Sequence, residues 1–599
     1  MRWSEPGIAR STAVIFALAL AAHLAVGMTL DRNPLAETLI SDALSYDAWA
    51  RRLAAGGFAA EPVFHQAPLY PAALSLFYDG RSAPGPPVSV LVLQAVGTAF
   101  AIAALVPIGA RFLRSARAGV IAASVALLFG PFVFYAFKLL PVALTLATQA
   151  VVLWLVAVVR DRPSRGFAMA LGAACGLAAL ARAEFALFAP VAAACAIGRS
   201  PARWHRGAAW AVGFAVALAP ATVHNLRQGD RVLIASAGGE NLFAGNQPWG
   251  DGGHAAIDPR AGDLFSARVL AQEIAERDAG RPLRPSEISA YWRGRALRTI
   301  LEDPAGWLRL EGRKLSRIVH LGDPNDMYSL ALERERFHPG LYALFVPAGP
   351  VVLLGAVGLG IALATRRRDA WPLVAFVGVQ GLVLLAFFVN SRLRLPLMYG
   401  LAPFAGLAVE SGVRAWTAPR RRALVAAAAS ATRAVGIASV VLTRPAPRDR
   451  VRLAAVLSTR GELTEALEVL APAIAEPRPD ALALDQAGWV LHKGGRSAEA
   501  VERYRRAIEV GLPEGRETQT LTRLAQVLED SGAVAEAATW HDRAIASEGA
   551  NAGTWFERGA YRTRRGDLTG AVSDFERAAS LDPGWSAPRE ALRRLEAGR

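Results

Sequence analysis

The chain has 599 residues, a hydrophobic fraction of 53%, a mean hydropathy of +0.27 and a formal net charge of +15. This length exceeds that of one ordinary domain, and the hydropathy is high for a soluble protein. Apolar blocks fill residues 1–442, whereas residues 447–599 are charged throughout, which predicts a membrane part followed by a soluble part. Many arginines flank apolar segments, where they set topology and meet lipid headgroups, so no nucleic-acid partner is expected. Cys175 and Cys195 lie in apolar segments and predict buried thiols, with no disulfide framework or zinc site.

Eleven apolar segments are candidates for membrane spans, each of which requires about 20 mostly apolar residues. They lie near residues 11–30, 88–110, 118–137, 141–159, 166–181, 184–198, 207–224, 341–364, 370–389, 393–413 and 423–442. We expect the first to be a retained helix and not a cleaved signal peptide, because it is long enough to span and more spans follow. Residues 166–198 form either one long broken helix or two short ones, because Arg182 and Glu184 interrupt the run.

Arginine clusters at short connections predict which loops face the cytoplasm. They are Arg2 and Arg10, Arg111/Arg114/Arg117, Arg160/Arg162/Arg165, Arg199/Arg203/Arg206, Arg366/Arg367/Arg368 and Arg414/Arg420/Arg421/Arg422. With these clusters inside, the outward segments are 31–87, Lys138–Pro141, Arg182–Glu184, 225–340 and Asn390–Arg392. This topology suits the cytoplasmic membrane of a bacterium and puts the C-terminal part outside the cell. If residues 423–442, which contain Arg433, do not span, the C-terminal part is cytoplasmic.

The outward segment 225–340 is a large polar insertion. Its glycine- and asparagine-rich runs, 238–241 and 245–253, predict turns. Helical stretches follow near 263–279 and 285–301. We expect these helices to lie on the membrane surface or to pack over the loop 31–87.

The C-terminal part repeats one pattern about every 34 residues. A Gly is followed five positions later by Ala, then by a large residue four further on and by Ala three beyond that. The four copies are Gly461/Ala466/Leu470/Ala473, Gly495/Ala500/Tyr504/Ala507, Gly532/Ala537/His541/Ala544 and Gly566/Ala571/Phe575/Ala578. The offsets place the last three residues of each copy on one helix face, and the Gly marks a turn. Residues 447–585 thus resemble the tetratricopeptide repeat family, which implies an α-solenoid that binds peptides or other proteins. The alternative is that the array only rigidifies an assembly.

No P-loop, Rossmann fingerprint, HExxH motif or paired CxxC motif occurs, and the nine histidines form no pair at metal-ligand spacing. The remaining candidates for chemistry are polar residues at a membrane face, above all in the loop 31–87. Asp42 could act as a general base toward an acceptor hydroxyl. It could instead cap the amphipathic helix that follows it.

Three aromatic or titratable residues accompany Asp42 in this loop. Tyr46 falls on the same helix face at i+4, and His65 and Tyr70 follow before the next span. Asp47 competes with Asp42 as the acidic residue, but it points away from Asp42 on the same helix and is expected to be solvated.

Five stretches in a fixed order resemble a known family. After one apolar helix come SDALSYDAWARRLAAGG and HQAPLYPAALSLFY, then GLAALARAEFALFAP, HNLRQGDRVLIASAGGENLFAGNQPWGDGG and NSRLRLPLMYGLAPFAGLAV. Together they resemble the GT-C class of membrane glycosyltransferases, in particular glycosyltransferase family 39, the dolichyl-phosphate-mannose-protein mannosyltransferases and their bacterial relatives, over residues 10–415. The resemblance implies an inverting transfer from a polyprenyl-phosphate sugar, with no nucleotide-sugar site, no cofactor and often no metal. It also implies that an acidic residue of the first outer loop, here Asp42, serves as base or orients the acceptor. The family often has an acidic pair at this point, where this chain has Ala43 beside Asp42.

Charged residues near later spans suit a lipid-phosphate site. Arg392 and Arg394 open a span, and the planar guanidinium fork binds phosphate bidentately; they could instead anchor the helix at the interface. Arg182 and Glu184 interrupt an apolar segment, where charge is costly unless it is functional or paired, so they either bind substrate or form a structural ion pair. Lys138, at a helix end, either binds the donor phosphate or snorkels to the interface.

The run 238–253 is a last candidate for substrate binding. Backbone N–H groups of this glycine-rich stretch, with the side chains of Asn241 and Asn246, could cradle a phosphate or sugar. A plain solvated loop is the alternative.

The sequence therefore predicts an all-α membrane protein with two domains. A GT-C-like multi-span bundle covers residues 1–442, with extracytoplasmic loops 31–87 and 225–340, and tetratricopeptide repeats cover residues 447–599. The predicted function is transfer of a sugar from a polyprenyl-phosphate-linked donor to a protein or glycan acceptor at the outer face of the membrane, with a protein partner on the repeats. One alternative is a transporter or flippase, which predicts a hydropathy repeat between two halves that the sequence does not have. The other is a non-catalytic assembly scaffold.

Overall fold

The computed structural model describes residues 6–58, 61–78, 86–198, 202–253, 257, 264–322, 326–338, 346–416, 422–442, 445–513, 516–547, 549–582 and 584–597. The chain divides into two compact units, Met1–Arg444 and Pro445–Arg599. Both units are helical. Within the described ranges there is no β-strand, and a single isolated bridge joins Phe129 and Val346. The all-α fold class predicted from the sequence is thus confirmed.

The first unit is built from long apolar helices and shorter helices in the connections. Up to residue 227 the α-helices are Pro6–Gly27 (α1), Pro34–Glu37 (α2), Asp42–Gly56 (α3), Leu69–Ser75 (α4), Val88–Phe112 (α5), Ala116–Leu127 (α6), Gly130–Ala136 (α7), Val142–Asp161 (α8), Arg165–Ala181 (α9), Ala189–Ile197 (α10) and Arg203–Arg227 (α11). The rest of the unit contains Gly238–Asn246 (α12), Leu264–Ala279 (α13), Pro285–Glu302 (α14), Pro304–Ile318 (α15), Leu330–Arg336 (α16), Ala348–Ala364 (α17), Trp371–Ala386 (α18), Ser391–Trp416 (α19) and Arg422–Leu442 (α20). Short 3-10 helices cover Leu30–Arg32, Ala183–Phe188 and Arg368–Ala370.

Five of the described helices are long and apolar enough to cross a membrane, judged by length and composition. They are Gly7–Gly27, Val88–Phe112, Val142–Asp161, Arg203–Arg227 and Arg368–Ala386. Four shorter apolar helices, Ala116–Leu127, Arg165–Ala181, Ala183–Ile197 and Ala348–Ala364, coincide with other predicted spans. The chain has the helices of a membrane protein, and the count of eleven spans stays a prediction. The first residues of the predicted span 341–364 lie outside the described residues.

Two predicted segments are broken by their own sequence. The predicted span 118–137 is not one continuous helix, because α6 ends at Leu127 and α7 begins at Gly130 with Pro131 in its first turn. Proline has no backbone N–H to donate, which suits it to the first turn of a helix, where Pro131 lies. The run 166–198 forms two helices separated by the 3-10 turn Ala183–Phe188, which is the two-segment alternative.

The buried helix α19 fixes the position of the candidate site. Nearly all of its residues from Ser391 to Ala408 are buried between neighbouring helices. Small residues let the backbones approach: a Cβ at Gly358 would lie 1.8 Å from the carbonyl oxygen of Phe404, and one at Gly406 would lie 2.1 Å from that of Ala118. The first turn of α19 is thereby held firmly at the end of the unit where the loop 31–87 lies.

The loop 31–87 is fastened to the start of the large insertion. The backbone N–H groups of Ser236 and Ala237 donate to the carbonyls of Phe64 and His65, at 2.9 and 3.0 Å. The Asn225 side-chain oxygen accepts from the N–H of Phe64 at 2.9 Å. The residues that lead into α12 therefore pack on this loop, whereas the sequence assigned that role to the helices near 263–279 and 285–301.

A row of exposed leucines marks another side of the insertion. Leu308 and Leu315 lie seven residues apart on one face of α15 and are 63% and 53% exposed, and Leu301 near the end of α14 is 79% exposed. Nearby, the ammonium of Lys314 donates to the carbonyl of Leu385 at 2.6 Å, at the end of the candidate span α18. Leu315, the neighbour of Lys314, therefore lies near the end of a candidate span, where an amphipathic helix would meet the lipid interface.

The second unit is a stack of helix pairs. Its helices are Pro447–Thr459 (α21), Leu463–Ile474 (α22), Ala481–Lys493 (α23), Ser497–Val510 (α24), Glu517–Asp530 (α25), Val534–Ala546 (α26), Ala552–Arg564 (α27), Leu568–Leu581 (α28) and Ala587–Ala597 (α29). In all four repeats the predicted turn glycine joins the two helices with φ between +75° and +83°, a conformation that favours glycine. The first Ala of each copy is fully buried in its second helix. The periodic pattern was therefore a correct guide to this unit.

Candidate functional site

The site begins with a contact between Asp42 and Arg392. One guanidinium nitrogen (Nη2) of Arg392 lies 2.6 Å from the Asp42 carboxylate, and the two side chains are 15% and 14% exposed. Asp42 is the first residue of α3, and Arg392 is in the first turn of α19. Packing of the whole first unit therefore brings together two charges that are far apart in sequence.

The backbone just before Asp42 is strained. Ser41 has φ +52°, a region that residues other than glycine seldom adopt, and such a residue costs about 1–3 kcal/mol. Ser41 takes the N-cap position but makes no side-chain cap hydrogen bond. The alternative role of Asp42 as a helix N-cap is thus wrong, because its carboxylate pairs with Arg392 instead.

Asp326 joins this pair and makes a cluster of three charges. Its carboxylate accepts from the Tyr135 hydroxyl at 2.8 Å and from the backbone N–H of Arg392 at 3.2 Å. It lies 3.6 Å from Nε of Arg392 and is 2% exposed. One guanidinium thus sits between two carboxylates, which leaves the cluster a net charge of −1. The Tyr135 hydroxyl and the backbone N–H of Arg392 hold Asp326 in place beside the guanidinium. Asp42 is therefore the carboxylate better placed to give way to another anion at Arg392.

Tyr46 borders this cluster on α3. Burial raises the pKa of its phenol, and the nearby charge of Asp42 raises it further, so the hydroxyl stays protonated and can donate at neutral pH. The same phenol lies within electrostatic reach of Arg182 and Glu184. These two residues form an ion pair with each other, which is the structural alternative for them. The pair lies beside the cluster and brings no net charge to it.

Tyr70 packs against the ring of Tyr46. The two rings meet edge to face with centroids 5.1 Å apart. The Tyr70 hydroxyl donates to the side-chain oxygen of Gln94 at 2.7 Å, and the Gln94 amide donates to the carbonyls of Ala136 and Lys138. Tyr70 therefore ties the loop 31–87 to α5.

Lys138 belongs to a second, fully enclosed ion pair. Its ammonium lies 2.7 Å from both carboxylate oxygens of Glu333, and both side chains are 2% exposed. Asn33 donates to the same carboxylate at 2.5 Å, and the rings of Phe134 and Tyr328 cover the ammonium. Lys138 is neither a snorkelling residue nor open to a phosphate, because its charge is already neutralised inside the protein.

Arg394 lies apart from Arg392 in its contacts. It is 1% exposed, and its guanidinium donates to the carbonyls of Arg317, Ile318, His320 and Gly322. These carbonyls lie at and just beyond the end of α15, where the C=O groups of the last helical turn have no N–H donors within the helix. The expectation that Arg392 and Arg394 act together on one phosphate is therefore corrected: Arg394 caps a helix.

His65 forms a contact with Glu240 of α12, at 3.4 Å. Burial lowers the pKa of His65 to about 3 and raises the pKa of Glu240 to about 7. Both shifts have the same origin, since removal from water disfavours the charged form of either group. Together with the backbone bond from Ala237 to the His65 carbonyl, this pair joins the loop to the insertion.

The prediction that the glycine-rich run 238–241 is a connecting turn is wrong, because this run is helical. It forms the first turn of α12, because Gly239 lets the helix approach Ser289 so closely that a Cβ would lie 1.8 Å from its carbonyl oxygen. Asn241 is exposed on this helix. Asn246 is buried, and its side chain bonds with the carbonyls of Leu242 and Ala386 and with Trp307 and Lys314. Asn246 therefore connects parts of the fold, and the run offers no open cradle here.

The expectation that Asp47 is solvated is also wrong. It is 7% exposed, lies 2.8 Å from Nε of Arg51 and accepts a hydrogen bond from the Tyr78 hydroxyl. It does point away from Asp42, toward a separate set of partners.

Sequence reasoning missed three groups at or near the site: Asp326, Tyr135 and Glu333. Asp326 lies in the Asp-Pro-Asn-Asp stretch of the polar insertion, and Tyr135 ends a predicted span with Lys138 close behind. A search for acidic residues in the outward segment just before a span would have found Asp326 and Glu333. No group of three or more His, Cys, Asp or Glu side chains that could hold a metal ion occurs in the described part of the chain.

Comparisons with known proteins return structures but no family. No family model and no curated protein matches the chain. Among solved structures, the archaeal oligosaccharyltransferase AglB from Archaeoglobus fulgidus, in complex with an inhibitory peptide and a dolichol-phosphate, is similar at 13% identity and a TM-score of 0.39, over 76% of this chain and 59% of that one. YrrB, a tetratricopeptide-repeat protein with an unusual peptide-binding site, is similar at 23% identity and a TM-score of 0.21, over 25% of this chain and 75% of that one. Yeast Tom70 is similar at 13% identity and a TM-score of 0.26, over 83% of this chain and 95% of that one. The chain thus spans less than two thirds of the oligosaccharyltransferase. An oligosaccharyltransferase and a tetratricopeptide-repeat protein thus occur among the solved structures to which the chain is similar.

Proposed function

We propose that this chain is a membrane glycosyltransferase that moves a sugar from a polyprenyl-phosphate donor to an acceptor hydroxyl at the outer face of the cytoplasmic membrane. The observation that carries the proposal is the 2.6 Å contact between Asp42 and Arg392. It pairs a candidate base with a candidate phosphate ligand beside a strained residue, at the junction of a predicted outer loop and a buried helix. The exposed leucine row beside the end of α18 supports a position near the lipid interface.

In the proposed reaction, Asp42 takes the proton of the acceptor hydroxyl. The acceptor oxygen bonds to the anomeric carbon of the sugar, and the bond from that carbon to the phosphate oxygen breaks. The electron pair of that bond leaves on the polyprenyl phosphate. Asp42 loses one negative charge and the phosphate gains one, so the total charge of the site is unchanged.

Arg392 is proposed to follow this negative charge. It pairs with Asp42 before the reaction, and its guanidinium fork can bond to the phosphate as Asp42 becomes neutral. Asp326 would keep the arginine in place, because it contacts the backbone N–H and Nε of Arg392 and is itself held by the Tyr135 hydroxyl. Donors that meet charge only as it develops lower the barrier most.

Conservative substitution of Asp42 tests the proposal. Asp42→Asn keeps the shape of the side chain but cannot accept the proton, so transfer is expected to fall by about 10²–10⁴-fold. The measurement is release of free polyprenyl phosphate by the full chain in lipid nanodiscs, with a panel of polyprenyl-phosphate hexoses and pentoses. Asp47→Asn, on the same helix and also paired with an arginine, is the matched control and should retain activity. Folded Asp42→Asn protein with undiminished turnover would refute the role of Asp42.

Two substitutions of Arg392 separate charge from geometry. Arg392→Gln removes both the positive charge and the planar guanidinium fork. We expect kcat to fall by about 10²–10³-fold, because a transition-state donor is lost. Arg392→Lys keeps the charge without the fork and should recover part of kcat. A change confined to KM, with kcat unaltered in both variants, would assign Arg392 to ground-state binding and contradict the charge transfer described above.

The repeat unit is proposed to bind a protein, either the acceptor itself or a partner of the same assembly. Stacked helix pairs of this kind present an extended surface suited to peptides. A scaffold without catalysis would need the repeats but not Asp42. Deletion of residues 445–599 should therefore alter partner capture while release of polyprenyl phosphate persists.

A further inference from the structure

A cavity of about 140 Å³ lies at the opposite end of α5 from the candidate site. Gln94 of α5 bonds to the carbonyl of Lys138 beside the site, whereas Arg111 of the same helix lines the cavity. At about 1.5 Å per residue these two positions are roughly 25 Å apart. The cavity has a charged lining that consists of Arg111, Arg114, Arg160, Asp161 and Asp369. It is therefore distinct from the cluster around Arg392, and it lies at the face that the arginine clusters assign to the cytoplasm.

The lining carries more arginines than carboxylates. Arg111 lies 2.6 Å from Asp161, while Arg114 and Arg160 share Asp369, at 2.7 and 3.2 Å. Arg160 also donates to the backbone carbonyl of Asp369 at 2.7 Å. Three guanidinium groups face two carboxylates, so the lining has a net charge of +1. A bound monoanion would bring it to neutrality.

Attraction of cations to helix C-termini explains part of this arrangement but not all of it. α5 and α8 both end here, and their dipoles favour Arg111 and Arg160 in the last turn. Arg114 lies beyond the end of α5 with φ +53°, a conformation that costs about 1–3 kcal/mol. Arg366, three residues before Asp369, has φ +49°. Within the described residues, three non-glycine positions have a positive φ; two are these arginines and the third is Ser41 at the candidate active site.

We infer that this cavity is a binding site for a phosphate group, the phosphodiester of an anionic phospholipid headgroup or free phosphate. Guanidinium forks from the end of α5, from the residues just after it and from the end of α8 line a space of suitable size, and arginine binds phosphate with paired, permanently charged hydrogen bonds. A phosphodiester carries the single negative charge that the lining lacks. The site is independent of the proposed transfer reaction and of Asp42.

The test uses the full chain in detergent and follows its thermal unfolding with added phosphatidylglycerol, phosphatidylcholine or inorganic phosphate. Arg114→Gln and Arg160→Gln are compared with Arg162→Gln, an exposed arginine at the same end of α8 that does not line the cavity. Phosphatidylglycerol should stabilise the protein more than phosphatidylcholine does. Its apparent affinity should fall about tenfold in the first two variants, the typical effect of losing one charge-assisted hydrogen bond. It should be unchanged in Arg162→Gln.

The outcomes either identify the ligand or overturn the site. Stabilisation by inorganic phosphate with the same pattern of variants identifies free phosphate as the ligand, and stabilisation by the lipid alone identifies the headgroup. Arg114→Lys, which keeps the charge at an exposed position, should retain more affinity than Arg114→Gln and guards against a folding defect. Equal losses in all three glutamine variants would reduce the effect to net surface charge and overturn the site, as would the absence of any anion-specific stabilisation.

Discussion

Replacing His541 with phenylalanine is expected to remove an acid sensitivity from the repeat unit. His541 takes the large-residue position of the third repeat, where the other repeats have Leu470, Tyr504 and Phe575. It is 1% exposed, and its Nε2 has no hydrogen-bond partner among the residues that the structure describes. Its ring packs on Tyr561 with centroids 4.9 Å apart. Phenylalanine would fill the same space without a group that must stay neutral.

The size of the effect follows from the pKa. Burial lowers the pKa of His541 from 6.5 to about 4. Above pH 4 the folded unit therefore keeps most of its rings neutral, whereas in the unfolded chain His541 becomes protonated as the pH falls through 6.5. The free energy of unfolding of the repeat unit is therefore highest above pH 6.5 and decreases as the pH falls toward 4, because the unfolded chain gains the proton first. A difference of about 2.5 pKa units corresponds to roughly 3 kcal/mol.

Hydrogen exchange of the full chain measures this effect, after correction for the intrinsic pH dependence of exchange. Protection of amides in α25 and α26 should fall between pH 6.5 and pH 4.5 in the unmodified protein and much less in His541→Phe. His492→Gln is the control, because His492 is partly exposed and pairs with Asp530 at 2.9 Å in the same unit. Equal loss of protection in the unmodified protein and in His541→Phe would refute the reasoning.

Two further predictions concern the membrane unit. Gly358→Ala should abolish stable folding or lower the melting temperature strongly, because the new Cβ would lie 1.8 Å from the carbonyl oxygen of Phe404. Gly360→Ala in the same helix is the control. Its Cβ meets no atom within 4 Å, so this substitution should be neutral or stabilise the protein by up to about 1 kcal/mol. Glu333→Gln should destabilise the protein by about 3–5 kcal/mol because it leaves the charge of Lys138 buried without its partner, and the double variant with Lys138→Met should recover part of the loss. Thermal unfolding in detergent measures both, and a Glu333→Gln protein as stable as the original would contradict the second.

The repeat unit shows how far the sequence alone reaches. Its alanines and turn glycines could be placed correctly because each repeat is a local helix pair with a fixed period, so the spacing already specifies which residues face inward. The apolar segments were found for a similar reason, since length and composition decide whether a helix suits a membrane. The helical first turn of α12 could not be predicted in this way, because close packing at Gly239 overrode the local turn signal. The break near Pro131 does have a local signal, the proline itself, which hydropathy alone does not register.

The candidate site required the tertiary structure. The sequence itself determined that Asp42 lies in a polar loop before a span and that Arg392 opens another. Only packing decided that these two meet while Arg394, two residues further on, caps the end of α15. Packing also decided that Asp326 faces Arg392 and that Glu333 faces Lys138. Hydropathy and periodicity depend on neighbours along the chain, whereas the partner of a buried charge depends on which groups the fold removes from water together.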